Sequence, residues 1–60
     1  MSTWVKLYLV NGVLRCDLAS ATGAVHLWTE GQCCNREWIM AQAVSIVELT
    51  GMRLEKAAGL

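Results

Sequence analysis

An Asn-Gly pair at positions 11 and 12 separates two runs of strand-forming residues. Trp-Val-Lys-Leu-Tyr-Leu-Val covers 4–10, and Val-Leu-Arg-Cys-Asp-Leu-Ala covers 13–19. Asn and Gly tolerate the positive φ that a two-residue type I′ turn requires, so this pattern marks a hairpin. A two-residue turn also sets the register. Val10 faces Val13, Leu9 faces Leu14, Tyr8 faces Arg15, Leu7 faces Cys16, Lys6 faces Asp17 and Val5 faces Leu18. The pairing checks itself: Lys6 meets Asp17 on one face, and apolar residues meet on the other. A one-residue slip would undo both.

Ser20-Ala21-Thr22-Gly23 is the next turn signal, and Ala24 to Glu30 reads as a third strand. Two registers remain open. A four-residue loop places Leu18 against Val25, Asp17 against His26 and Arg15 against Trp28. A Thr22-Gly23 turn places Leu18 against Leu27 and Arg15 against Glu30. The two differ by two residues, so each side chain keeps its face. After a loop containing Gly31, Asn35 is positioned as an N-cap, with Glu37 suited to the positive end of a helix dipole. Ile39, Met40, Ala43, Ile46, Val47 and Thr50 then recur at helical spacing, with Glu37, Ala41, Ser45 and Glu48 opposite. Gly51 is a C-terminal stop signal. Met52 to Ala58 is read as a short second helix, with Leu54 in phase with the apolar stripe. A hairpin of Ser45–Leu49 and Met52–Lys56 is the competing reading.

The expected fold is a single α+β domain over residues 1–60. It is a three-stranded antiparallel β-meander packed on one C-terminal helix (βββα). Val5, Leu7, Leu9, Leu14, Cys16, Leu18, Val25 and Leu27 form the inner face under the helix. Apolar residues make up 55% of the chain, against about 45–50% in an average domain. In so short a chain that surplus implies that a partner or a second copy covers part of the surface.

The charge is balanced at +0, without the basic excess of a phosphate-gripping domain. The longest uncharged stretch, Leu18 to Thr29, is 12 residues, short of the roughly 20 that a spanning helix needs. No membrane partner and no secretory leader are expected, and the location inferred is the cytoplasm. Three cysteines suit free thiols better than a disulfide framework.

One helix covers one face of a sheet. Alternation puts Trp4, Lys6, Tyr8, Arg15, Asp17, His26 and Trp28 on the other, with Tyr8, Arg15 and Trp28 in a row that lets the guanidinium stack between rings. Trp38, early in the helix, flanks the apolar stripe. Trp, Tyr and Arg are the residues of binding hot spots, so these eight form the candidate partner-binding set. In the first of the two registers His26 has Asp17 as a neighbour to orient its ring, but no Ser or Cys nucleophile shares its face. Cys16, His26, Cys33 and Cys34 fit no zinc spacing, and no cofactor or metal is expected. Cys33-Cys34 before a helix start is a place for lowered thiol pKa values, or simply two small residues filling a corner.

These features point to a small non-enzymatic protein-interaction module. It would bind a larger protein sterically, or associate as a dimer. Phage- and mobile-element-encoded inhibitors of host machinery, including anti-defence and anti-CRISPR proteins, share its size and plainness, a likeness of style and not of residues. A nucleic-acid-binding module using Lys6, Tyr8, Arg15 and Trp28 is the second reading, and a small metal or redox protein the third.

Overall fold

The computed structural model describes residues 2–32 and 34–60. Three strands, β1 (Thr3–Val10), β2 (Val13–Ser20) and β3 (Gly23–Thr29), precede one helix, α1 (Arg36–Thr50), and a short strand, β4 (Leu54–Lys56). The fold is α+β, with a four-stranded sheet in the order β3-β2-β1-β4.

The first hairpin forms as its turn dictates. Asn11 and Gly12 adopt φ values of 52° and 78°, and every β1–β2 pair from Thr3↔Ser20 to Val10↔Val13 lies in the expected register. The second hairpin turns on Ala21 and Thr22 and keeps the first of the two open registers near the turn, with Leu18↔Val25 and Asp17↔His26. Then it departs from it. A register shift between Cys16 and Asp17 leaves Leu27 without a partner, so Cys16 faces Trp28 and Arg15 faces Thr29. One extra residue in β3 reverses the face of everything after it.

The α1 boundaries follow from local chemistry. Asn35 Oδ1 accepts the Trp38 amide at 2.8 Å, satisfying an otherwise orphaned donor. Gly51 closes the helix in the left-handed region at φ 74° and donates its amide to the Val47 carbonyl.

The chain beyond Gly51 forms neither the expected second helix nor the competing hairpin. It extends along β1, parallel to it, with Val5↔Leu54, Lys6↔Glu55 and Leu7↔Lys56. The left-handed cap redirects the backbone. The β1 edge then supplies partners: Val5 donates to the Arg53 carbonyl, and Ala57 to the Leu7 carbonyl, each at 3.0 Å. The three-stranded antiparallel meander thus becomes a four-stranded mixed sheet.

Val5, Leu7, Leu14, Cys16, Ile39 and Ala43 form the buried core, with Met40, Ile46, Val47 and Leu54 packed around it. The helix lies over β1, β2 and β4. Leu9 and Val25, expected in the core, are instead exposed, Val25 at 63%. The helix is offset away from β3 and leaves the far end of that strand bare.

Candidate interaction site on the outer sheet face

The outer face carries a continuous row of interacting side chains. The pairs Tyr8↔Arg15 and Asp17↔His26 set its geometry. Tyr8 donates its hydroxyl to Asp17 Oδ2 at 2.9 Å, and His26 Nδ1 meets Asp17 Oδ1 at 2.8 Å. An ionised carboxylate only accepts, so Nδ1 carries a proton and donates. In the neutral ring Nε2 is then the acceptor, and Thr29 donates Oγ1–H to it at 2.7 Å. Lys6 completes the row, its ammonium 5.4 Å from the centre of the Tyr8 ring. Burial, and then the hydrogen bond to Asp17, raise the Tyr8 phenol above its ordinary pKa.

At the β4 side of this face, Trp4 donates its indole N–H to Glu55 at 3.0 Å. The Arg53 guanidinium lies 4.3 Å from the centre of the Trp4 ring. Ala19, opposite Trp4 in the register, is buried. At the other side, Arg15 keeps a buried Nε without a hydrogen-bond partner among the described residues. Val10, Asn11, Val13, Arg15, Thr29 and Gln32 line a shallow depression there.

Six of the eight expected residues therefore share this face: Trp4, Lys6, Tyr8, Arg15, Asp17 and His26. Trp28 does not. The extra residue at Leu27 turns it to the helix side, where it packs against the core. There it meets Trp38 edge-to-face, with centroids 5.1 Å apart at 87°. The expected Tyr8–Arg15–Trp28 stack is absent, and the cations stack instead as Lys6 on Tyr8 and Arg53 on Trp4. Trp38 remains 43% exposed on the helix flank, and Leu49 is 86% exposed.

Thr29 is the residue that sequence reasoning missed. In a regular strand, positions 26 and 29 point to opposite faces. Only the bulge brings them together, and no residue in Val-His-Leu-Trp-Thr announces it.

Glu30 fixes the exit from β3. Its Oε1 accepts from the Leu14 amide at 3.0 Å and from Arg36 at 3.2 and 2.9 Å. Arg36 also donates to the Gly12 carbonyl at 2.8 Å. The hydrogen bonds from Arg36, then that from Leu14, hold the Glu30 carboxyl below its usual range.

Cys16 lies in the core, where burial, reinforced by the charge of Asp17, pushes its thiol up to about 11. Cys34 lies beside the Thr29 carbonyl at 3.9 Å, and Cys33 falls outside the described residues. Among the described residues no group of three or more His, Cys, Asp or Glu is placed to hold a metal. No helix among them is long and apolar enough to cross a membrane. No protein-family description, curated protein sequence or solved structure matches this chain.

Proposed function

We propose that this chain is a small non-enzymatic interaction module that docks its outer sheet face onto a larger protein and acts by occupying that protein's surface. The observation that carries this reading is the Lys6–Tyr8–Asp17–His26 row. No element among the described residues covers it, yet its side chains are already held in place. Groups ordered before association lose little rotamer freedom on binding, and this is where hot spots gain their strength. Trp38 and Leu49, exposed on the same flank of the helix, supply apolar surface for a second contact. An accessory or inhibitory role of the phage type, in the cytoplasm, suits the size of the chain and a thiol kept buried at Cys16.

The nucleic-acid reading is weakened, because the bulge removes Trp28 from the stacking platform and leaves Tyr8 and the half-covered Trp4. The test replaces Lys6 and Tyr8 together by Ala. Native mass, capture from lysate and oligonucleotide titration are measured beside the parent protein, with far-UV circular dichroism to confirm folding. Loss of a captured protein with the spectrum intact supports docking. Loss of a dimer mass assigns the face to a second copy. Salt-sensitive oligonucleotide binding by the parent assigns it to nucleic acid, and unchanged association of the variant refutes a role for this face.

A further inference from the structure

The line Thr29 Oγ1–His26 Nε2, His26 Nδ1–Asp17 Oδ1, at 2.7 and 2.8 Å, has a consequence separate from docking. It joins a hydroxyl, a base and a carboxylate that orients the base, the arrangement that activates an oxygen nucleophile. In the neutral ring with its proton on Nδ1, Asp17 accepts that proton's hydrogen bond and Nε2 presents its lone pair to the Thr29 hydroxyl. Tyr8 donates to the other Asp17 oxygen and keeps the carboxylate from turning away.

We infer that Thr29 is an acyl-acceptor site, a hydroxyl that takes an acyl group from an activated donor such as an aryl ester or a thioester. Thr29 Oγ1 attacks the donor carbonyl carbon while its proton passes to His26 Nε2. The bond from that carbon to the leaving oxygen or sulfur breaks, and the electron pair departs with it. His26 then returns the proton to the leaving group. The products are O-acyl-Thr29 and a free phenol or thiol, and no oxidant or reductant takes part.

The surroundings suit an acyl donor. Thr29 opens on the depression that Val10 and Val13 line with apolar surface. Arg15 is the direct cross-strand partner of Thr29 and lines the same depression. It brings a positive charge to the depression, of the sign that a carbonyl oxygen gaining negative charge requires.

The experiment treats the full chain with p-nitrophenyl acetate near neutral pH. It follows acetylation site by site by mass spectrometry, with acetylation of Lys56 as the internal rate standard. One acetyl group is expected on Thr29. Thr29→Ser should retain the label and Thr29→Val lose it. His26→Gln should slow labelling at Thr29 by about 100-fold, the lower end of what a positioned general base supplies, while labelling of Lys56, exposed on β4, is unchanged. Acetyl groups confined to lysines, cysteines and the amino terminus would overturn the inference, as would equal Thr29 labelling in folded His26→Gln. Neither result depends on whether the sheet face binds a partner.

Discussion

Replacing Trp28 by Ala tests the bulge, and with it the division of the sheet into two faces. If β3 were regular, Trp28 would stand beside Tyr8 and Arg15 on the open face, and truncation would affect binding while sparing stability. In the structure it packs on the core and against Trp38. Truncating a fully buried Trp costs about 3–5 kcal/mol. Trp28 is half-buried, so roughly half of that applies, and losing the edge-to-face pair adds about 0.5–1.5 kcal/mol. The sum is about 3 kcal/mol, a third or more of the ~3–9 kcal/mol expected for a domain of this size. At ~4–8 °C per kcal/mol, the Tm should fall by more than ~10 °C. Thermal and urea unfolding followed by far-UV circular dichroism avoid the loss of Trp fluorescence. A cycle with Trp38→Ala and the double variant should return a coupling of about 1 kcal/mol. A Tm change under ~2 °C for Trp28→Ala, or a coupling indistinguishable from zero, would refute both the bulge and the inward placement of the ring.

Two further outcomes follow from perturbed groups. Glu30 has a lower pKa folded than unfolded, so its contribution to stability is complete above the unfolded value of about 4.3 and is lost as pH falls through the folded value. Glu30→Gln should therefore flatten the acid limb of a Tm-against-pH curve relative to the parent, and superimposable acid limbs would count against the Glu30–Arg36 clamp. Cys16, fully buried with its pKa pushed up to about 11, should resist thiol reagents at pH 8 until the chain opens. Its modification rate should then rise with urea in step with global unfolding, and rapid labelling of the native protein would contradict its core position.

Much of the fold is legible where one residue leaves the backbone a single low-energy option. Asn11 and Gly12 determine the turn and hence a full strand register. Asn35 and Gly51 bracket a helix whose stripe seats Ile39 and Ala43 in the core as expected. Where no residue is forced, the reading stops. The bulge at Leu27 lies within an unbroken run of good strand formers and needs no glycine, so Trp28 and Thr29 appear on the wrong faces in sequence. Leu54–Lys56 is too short for any periodicity to show. It becomes a strand because β1 has free backbone groups beside it, a fact of the assembled sheet. The polar part of the site from Lys6 to Asp17 follows from the first hairpin, and His26 joins it in one of the two registers that the sequence leaves open for the second. The aromatic part of the site does not follow, because Trp28 lies beyond the bulge.

The parallel pairing of β4 with β1 also bears on the order of events in folding. Val5 meets Leu54 across nearly the whole chain, whereas the two hairpins join neighbours in sequence. Hairpins close in about 1–10 μs, and contacts of long sequence separation form late because loop closure must precede any gain from pairing. The β4 strand is held by a three-residue ladder, and its sequence separation places it after the hairpins on contact-order grounds. Until β4 pairs, the outer edge of β1 stands open as a template for any extended segment nearby. The Trp4 indole, with Arg53 and Glu55 folded across it, marks the completed state.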